Sequence, residues 1–358
     1  MTHKRSRFLG VAALALMILA ACGGSSSSGT AAKVIKVGLV TDTGGLNDKS
    51  FNHLAALGLA KAASTGSICS VGGLQCTGSL KVQGDVTESK TGDEYVPNLT
   101  NYASKGYDLV IGVGFLMGES IGSVSGQFPN VKFAIIDSAG TDAKGNDLKH
   151  TNVEPLFFKE QDAGAMVGVI AGMLEKQGKA MKNKHVISAV GGISIPPVNH
   201  YIAGYKWAAT MEDPSIKVLI GYSNDFADPA KCKTVANPQI SQGSDILFQV
   251  AGGCGLGVLQ AASQAGVYSI GVDADQGGAD PSVIASALKK VDVATYTAIK
   301  SVVDGTFQGS ALTFSIANDG AGYVLDNNFA LPADIQTELA NVLAKIKSGA
   351  LTPPADIP

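Results

Sequence analysis

Short apolar runs rich in β-branched residues alternate with longer Ala-rich stretches from residue 34 onward, and turns containing Gly or Asp separate them. The apolar runs predict buried strands, and the Ala-rich stretches predict helices. The predicted strands are 35–41, 80–86, 108–113, 131–136, 185–190, 217–222, 245–251, 268–272 and 283–288. The predicted helices include 52–64, 159–175, 199–211 and 291–304, and a polar interval at 140–150 divides the pattern into two groups.

Continuous apolar strands that alternate with helices are typical of a parallel sheet covered on both faces. About 330 residues follow the N-terminal leader, which is too long for one ordinary core. We therefore predict an α/β fold with two doubly wound lobes. Ligands of such sheets bind beyond the carboxyl ends of the strands, so the chemistry should lie in a cleft between the lobes.

The first residues predict export from the cytoplasm. A basic segment that contains Lys4, Arg5 and Arg7 precedes an uncharged apolar stretch at 8–20. This stretch is too short to span a bilayer, and its length and flanks are typical of a signal peptide. We therefore interpret residues 1–21 as a leader that is removed from the mature protein.

The end of the leader predicts a lipid anchor. Leu19-Ala20-Ala21-Cys22 resembles the bacterial lipobox, in which the cysteine receives lipid and becomes the new N-terminus. A secretory signal followed by a chance cysteine is the alternative. Residues 22–33 contain a Gly/Ser run at 23–29, which predicts a flexible tether. The expected location is extracytoplasmic, with the chain anchored to the bacterial cell membrane through the lipid on Cys22.

The charge balance argues against a nucleic-acid partner. The chain has 27 Lys+Arg and 30 Asp+Glu, and removal of three basic residues with the leader leaves 24 against 30, a formal charge of −6. No basic run stands out in the sequence, so we expect no binding to nucleic acid. The sequence also contains no GxSxG or HExxH motif, and the glycines at 112, 114 and 118 lack dinucleotide-binding spacing. We therefore expect no enzyme activity, cofactor or metal.

Four cysteines follow Cys22, and an even number outside the cytoplasm favours disulfides. Cys69 and Cys76 are separated by six residues across a Gly-Gly turn, which leaves Cys232 and Cys254 to pair with each other. Zinc is the alternative, but the sequence has no CxxC or His/Cys cluster that would support it.

Carboxylates, amides, glycines and phenylalanines follow the predicted strands at their carboxyl ends. In the first half these candidates are Asp42, Asn47, Asp48, Phe51, Phe115 and Asp137. In the second half they are Phe226, Gly253, Asp273, Asp275 and Lys289. Carboxylates accept hydrogen bonds from hydroxyls or ring N–H groups, and phenylalanines stack on flat rings. The set predicts a site for a polar ring that carries hydroxyls.

Several candidates have a structural alternative. Asn47 or Asp48 would cap the helix that starts near residue 49, and Phe51 would pack that helix on its sheet. Asp137 and Asp273 are harder to explain in this way, because an aspartate at the end of a buried strand usually faces the crevice in α/β folds. We therefore expect these two aspartates to contact the ligand.

The order of motifs resembles the basic membrane protein family, whose members are substrate-binding lipoproteins of ABC transporters similar to the purine nucleoside receptor. The opening match is VGLVTD at 37–42 followed by GGLNDKSFN at 44–52. The likeness continues through GYD at 106–108, IGVGF at 111–115, FAIID at 133–137, FKEQ at 158–161, AGY at 203–205, DPAK at 228–231, AGG at 251–253, GLG at 255–257, GVD at 271–273 and VDVA at 291–294. It covers nearly the whole mature chain.

The resemblance implies a type I periplasmic-binding-protein fold with three hinge crossings. Lobe one would comprise 34–150 plus about 282–310, and lobe two 151–281 plus about 311–358. The family also implies that the base of a nucleoside lies between the rings of Phe51 and Phe226. Asp42 and Asp137 would then face the base. Asp273 or Asp275 would hold the ribose, together with Lys289 and the backbone near Gly253.

The function that this resemblance implies is capture of a nucleoside, with a purine base favoured, for import through an ABC permease in the membrane. We expect a monomer. The alternatives are a sugar or flavin receptor of the same fold, or a surface adhesin lipoprotein. The cysteines depart from the family pattern, and a Cys232–Cys254 bond would tie two ligand-bearing loops together.

Overall fold

Six strands of the computed structural model, which describes residues 33–71, 73–78 and 80–358, form a wholly parallel first sheet. They are β1 (Ile35–Val40), β2 (Val82–Thr87), β3 (Leu109–Val113), β4 (Lys132–Ile136), β5 (Val153–Phe158) and β11 (Leu312–Phe314). Their order is β11-β5-β4-β3-β1-β2, and every residue of β3 is buried. This burial on both faces accounts for the continuous apolar runs in the sequence.

The second sheet repeats this arrangement. Within the described residues its strands are β6 (Val186–Gly191), β7 (Lys217–Tyr222), β8 (Ile246–Val250), β9 (Tyr268–Asp273), β10 (Val283–Lys289) and β12 (Ala321–Leu325). Their order is β12-β10-β9-β8-β6-β7, and only β12 runs antiparallel to its neighbour in this sheet. The shared order β7-β6-β8-β9-β10 and β2-β1-β3-β4-β5 gives each lobe the same pattern of strand ends.

Helices connect the strands. They are α1 (Phe51–Ala62), α2 (Tyr95–Ser104), α3 (Gly118–Gln127), α4 (Glu160–Lys176), α5 (Pro196–Glu212), α6 (Pro229–Ser241), α7 (Leu256–Ala265), α8 (Val291–Val303) and α9 (Ala333–Ser348). Helix α6 begins with a proline directly after Asp228, whose carboxylate accepts a hydrogen bond from Ala230 N at 2.9 Å. Helices α4 and α5 pack closely because three glycines of α4, at 164, 168 and 172, lie against the backbone of α5.

The predicted fold class is confirmed. The predicted strands and helices are present, with ends that differ by at most about three residues. Strands β5 and β12 and the short β11 were not predicted. In β5, Glu154 and Pro155 interrupt the apolar run, although Pro155 lies in a buried strand.

The sheets divide the chain at different residues from those expected. We predicted that lobe two begins at 151 and that 282–310 returns to lobe one. Instead, β5 pairs with β4 in the first sheet, and β10 pairs with β9 in the second. Helix α8 does return to lobe one, where it packs in the core beneath the first sheet. The described chain passes between the sheets three times, after β5, after β10 and after β11. These crossings lie side by side, since Lys159 N donates to Phe314 O at 2.8 Å and Lys290 N donates to Gly320 O at 2.9 Å.

Two disulfides in the described part of the chain join Cys69 to Cys76 and Cys232 to Cys254, which confirms both predicted pairs. Residues Val34–Pro358 form one compact unit. The predicted leader, Cys22 and most of the predicted tether lie outside the described residues. Within those residues, every helix falls short of the length and apolar character needed to cross a membrane.

Candidate functional site

A cavity of about 590 Å³, partly open to solvent, lies where the carboxyl ends of the two sheets meet. The predicted residues that line it are Asp42, Asp48, Phe51, Phe115, Asp137, Phe226, Asp273 and Lys289. Both lobes therefore contribute walls to one cleft, as the topology of such sheets leads us to expect.

Asp137 and Asp273 occupy equivalent places in the two lobes. Asp137 directly follows β4, and Asp273 ends β9. Both residues have left-handed backbone conformations, with φ of 69° and 62°. This conformation is uncommon outside glycine, and it concentrates at functional sites where the surrounding structure enforces it. Both strand ends line the cavity, so their shared conformation is consistent with a common role there.

Lys289 joins the two lobes through buried ion pairs. Its Nζ lies 2.6 Å from Asp137 Oδ1 and 2.8 Å from Glu160 Oε1, and all three side chains are at most 5% exposed. Burial lowers the pKa of Lys289, but the carboxylates of Asp137 and Glu160 raise it more, so that it stands above its ordinary value. The lysine is therefore a permanent cation in the cleft.

The carboxylates around this cation differ from each other. Burial raises the pKa of Asp137 to about 7, although the ammonium of Lys289 opposes the rise. For Glu160 the effect of burial is outweighed by Lys289 and by a hydrogen bond from His200 at 3.0 Å, so that its pKa is lowered. The cluster consequently contains one firmly charged glutamate and one aspartate that is readily protonated.

Asp273 also connects the lobes. It accepts hydrogen bonds from Ser50 Oγ at 2.8 Å and from Tyr201 Oη at 3.0 Å. Ser50 precedes α1 in lobe one, whereas Tyr201 lies on α5 in lobe two. Burial raises the pKa of Asp273, and the charge of Lys289 and these two hydroxyls limit the rise.

Asp42 and Asp48 meet at Asn52. Asp42 accepts from Asn52 Nδ2 at 2.7 Å and from Gly44 N at 2.9 Å. Asp48 accepts from the backbone N–H groups of Ser50, Asn52 and His53 at 2.7–3.1 Å, so it caps α1 as its structural alternative predicted. Burial raises the pKa of Asp48 to about 7 and also raises that of Asp42. Asp42 is thus the better candidate for contact with a ligand.

Half-buried aromatic rings enter the cleft from opposite lobes. Phe51 is the first residue of α1, and Lys289 Nζ lies 5.1 Å from the centre of its ring. Phe226 lies in the connection between β7 and α6, and its ring rests on the backbone of Gly192. Both rings line the cavity together with Phe115. Rings on facing walls can hold a flat heterocycle between them.

Three predicted residues do not line the cavity. Asn47 and Asp275 are exposed, and Asp275 accepts a hydrogen bond from Gly277 N at 3.0 Å instead. Gly253 is buried beside Asp48, and its neighbour Gly252 is the residue that lines the cavity. The candidate site therefore contains Asp273 rather than Asp275.

Sequence reasoning missed several residues of the site. These are Ser50, Asn52, Glu160, His200 and Tyr201, which bind the predicted carboxylates or their partners. The position of Glu160 directly after a strand could have revealed it, but β5 was not predicted. Tyr201 and His200 lie within a helix, where no strand end marks them. Among the described residues, no group of three His, Cys, Asp or Glu could hold a metal ion.

Comparison with known proteins places these features in a family. Residues 35–355 match the family model described as "ABC transporter substrate-binding protein PnrA-like". An uncharacterized lipoprotein of Pyrococcus abyssi is 33% identical over 87% of this chain and 74% of its own length. The "ABC transporter nucleoside-binding protein BmpA" of Lactococcus lactis is 29% identical over 98% of this chain and 99% of its own length.

A solved structure shows the same fold. The chain is similar to a solute-binding protein of an ABC transporter system from Aeropyrum pernix, with a TM-score of 0.77 and 28% identity. The similarity covers 90% of this chain and 94% of that protein.

Proposed function

Because this chain belongs to the family of PnrA-like substrate-binding proteins of ABC transporters, we propose that its ligand is a nucleoside with a purine base. Membership of the family makes the chain a binding protein for a small molecule that a membrane permease then transports. The nucleoside is the specific part of the proposal. The Lactococcus relative with the nucleoside-binding name supports it.

The observation that carries the proposal is the pair of phenylalanines that the two lobes contribute to one cleft. Phe51 and Phe226 come from different lobes and both line the cavity, so a base could stack on each ring when the lobes close. The buried carboxylates beside them supply acceptors for hydroxyl and ring N–H groups. In this arrangement Asp273 and Lys289 hold the ribose, while Asp42 and Asp137 face the base.

The test is calorimetric binding of adenosine, inosine and free ribose. Phe51→Ala and Phe226→Ala should each weaken nucleoside binding by about five- to a hundredfold, because a stacking contact contributes about 1–3 kcal/mol. Ribose, which has no aromatic face, should bind far more weakly than either nucleoside. Tight binding of ribose alone would make the protein a sugar receptor.

Phe307→Ala is the matched control. Phe307 is also half-buried and has a lysine, Lys132, 5.8 Å from its ring centre, but it does not line the cavity. This variant should lower the melting temperature without changing nucleoside affinity. If the two cleft variants behave like this control, their rings belong to the core and the proposed stacking is wrong.

We also propose that lipid on Cys22 anchors the protein to the outer face of the cell membrane. The relatives that are named lipoproteins support this location. Cys22→Ser should release the protein into the soluble extracytoplasmic fraction, as measured by detergent partition. Retention of the variant in the detergent phase would contradict the anchor.

A further inference from the structure

We propose that the disulfide between Cys232 and Cys254 positions the ring of Phe226 and thereby sets how tightly the cleft holds a flat heterocycle. The effect on affinity rests on the proposed nucleoside function, whereas the effect on the Phe226 loop does not. Phe226 lies in a loop at 223–228, between β7 and α6, that crosses one wall of the cleft.

The loop has an internal framework of hydrogen bonds. The carboxylate of Asp225 accepts from Ala227 N at 2.7 Å and from Asp228 N at 2.8 Å, and it also binds Lys231 Nζ at 2.6 Å. These bonds shape the turn after Phe226. The start of the loop is also tied to the end of β6, because Ser223 N donates to Gly191 O at 3.0 Å and Asn224 N donates to Gly192 O at 2.8 Å. None of these bonds joins the loop to the Gly252–Gly255 segment that follows β8.

The disulfide supplies that connection. Cys232 lies in the first turns of α6, and Cys254 lies in the short 3-10 helix Gly252–Gly255 that follows β8. Both cysteines are fully buried. Cys254 N donates to the carbonyl of Phe226 at 3.0 Å, and Ser223 Oγ lies 3.3 Å and 3.4 Å from the two sulfur atoms. The covalent bond therefore lies beside the start of the Phe226 loop and next to the backbone bond that joins Phe226 to the Gly252–Gly255 segment.

The ring of Phe226 is supported from lobe two. It rests on the backbone of Gly192 and packs against the apolar core of that lobe, and it is partly exposed in the cavity. Its position therefore depends on the backbone of the loop as well as on this packing. Without the disulfide, the loop and the Gly252–Gly255 segment would gain freedom that ligand binding must remove again.

The other disulfide is a built-in control. Cys69 and Cys76 are seven positions apart in lobe one, and neither lines the cavity. Removal of this disulfide alters the stability of lobe one but does not change the lobe-two wall of the cleft, which bears Phe226. Two double variants therefore compare equal chemistry at different places: Cys232→Ala/Cys254→Ala and Cys69→Ala/Cys76→Ala.

The first measurement is hydrogen–deuterium exchange on the full-length protein without ligand. In Cys232→Ala/Cys254→Ala, peptides that contain 223–228 and 252–255 should exchange faster while the rest of lobe two keeps its protection. In the control variant these peptides should exchange as in the wild type. Unchanged exchange at 223–228, or faster exchange throughout lobe two, would overturn the positioning role.

The second measurement is adenosine affinity by calorimetry, with Phe226→Ala introduced into both the wild type and Cys232→Ala/Cys254→Ala. Loss of the disulfide should weaken adenosine binding by about two- to tenfold, the cost of immobilising about one more side chain. Phe226→Ala should then cost less affinity in the disulfide-free protein than in the wild type, because both changes act on the same ring. Additive effects would overturn the proposal.

Failure of this inference is distinguishable from failure of the proposed function. If the wild type binds no adenosine, the nucleoside proposal is wrong, and exchange at 223–228 alone decides whether the disulfide positions the loop. If Cys232→Ala/Cys254→Ala does not fold, the native protein is treated with a phosphine reductant instead. Hydrogen–deuterium exchange and adenosine affinity are then measured on the reduced protein. Peptide mapping shows which of the two disulfides has been reduced.

Discussion

Helix α4 carries a buried glutamate near each end, and the two have opposite electrostatic surroundings. Glu160 begins the helix at the cleft, and Glu175 lies close to its other end. Fifteen residues of rise separate them by about 22 Å. Both side chains are buried, at 2% and 0% exposure, so burial alone does not distinguish them.

At the cleft, the carboxylates are bound by a cation or by side-chain donors, whereas at the far end Glu175 and Asp245 accept from backbone N–H groups. Lys289 Nζ and His200 Nδ1 bind the two oxygens of Glu160, and Ser50 and Tyr201 bind Asp273. The pKa of Glu160 is lowered, because Lys289 and His200 together outweigh the effect of burial. This end of the helix keeps its charge at neutral pH.

At the far end, Glu175 faces a second carboxylate. Burial and then the neighbouring Asp245 raise the pKa of Glu175 to about 9. Glu175 Oε1 and Asp245 Oδ1 have no hydrogen-bond partner among the described residues. The proton that Glu175 retains at neutral pH can be donated to Asp245, which would satisfy both atoms. The comparison of Glu160 with Glu175 shows that a buried carboxylate stays ionised, and so can bind a ligand through its charge, only where the fold also supplies a counterion.

We call Lys289 with its three carboxylates the cleft cluster, and Glu175 with Asp245 the far cluster. The largest change in stability is expected from Lys289→Met in the cleft cluster. This change removes the cation from three buried carboxylates while it keeps the volume of the side chain. The free energy of unfolding in urea at pH 8 should fall by about 3–5 kcal/mol, the usual cost of breaking a buried ion pair on one side. The loss should be smaller at pH 5, because protonation of the carboxylates removes the uncompensated charge.

Lys289→Arg is the control for that prediction. It keeps the cation beside Asp137 and Glu160, so it should recover most of the lost stability despite its different shape. A Lys289→Met protein as stable as the wild type at pH 8 would show that the cleft carboxylates are already neutral, and the contrast between the two clusters would disappear.

Asp273→Ala tests ligand binding by the cleft cluster. A carboxylate that accepts from buried hydroxyls of a ligand contributes about 1.5–3 kcal/mol, so nucleoside affinity should fall roughly ten- to a hundredfold in a protein that still folds. The melting temperature should fall as well, because Ser50 and Tyr201 lose their acceptor. Calorimetry gives the affinity, and thermal unfolding gives the stability. Glu175→Gln at the far cluster should leave affinity unchanged. If Asp273→Ala also leaves it unchanged, the ribose does not bind Asp273.

Glu175→Gln should itself stabilise the protein by about 1–2 kcal/mol at pH 8, since an amide can donate to Asp245 without a bound proton. The raised pKa sets the pH dependence. The wild-type carboxyl contributes stability fully below its unfolded pKa, near 4.5, and loses it as the pH rises through about 9. The gain from Glu175→Gln should therefore grow between pH 5 and pH 9 in urea titrations. A pH-independent difference would contradict the shared proton.

The sequence predicted those site residues that a strand end marks. Asp137 and Asp273 follow from the period of the strands, because parallel strands end at one edge of the sheet. Glu160 was not predicted, because Glu154 and Pro155 interrupt the apolar pattern of the strand that precedes it. The missed strand also displaced the expected lobe boundary, since β5 adds to the first sheet.

The pairing of charges was beyond sequence reasoning for a different reason. Lys289 and Asp137 are 152 positions apart and come from different lobes, so their contact depends on how the lobes meet. The helical partners Tyr201 and His200 carry no positional mark in an Ala-rich helix. The disulfides were predictable because few cysteines left few ways to pair them.

The smallest effects are expected from the histidine beside each cluster. His200 bonds Glu160 Oε2 at 3.0 Å, and its side chain is 29% exposed, whereas His185 lies 2.5 Å from Asp213 and is 40% exposed. His200→Asn should lower the free energy of unfolding by about 0.5–1.5 kcal/mol, because Glu160 keeps Lys289 but loses its second partner. His185→Asn should cost no more than about 0.5 kcal/mol, since water screens that pair and Ser215 still donates to Asp213. Asparagine also tolerates the positive φ of 53° at position 185.

Urea unfolding of both variants at pH 7 measures the difference between the two losses of stability. A larger loss for His185→Asn would mean that the far end depends on its histidine more than the cleft does, and the contrast between the two ends of α4 would fail.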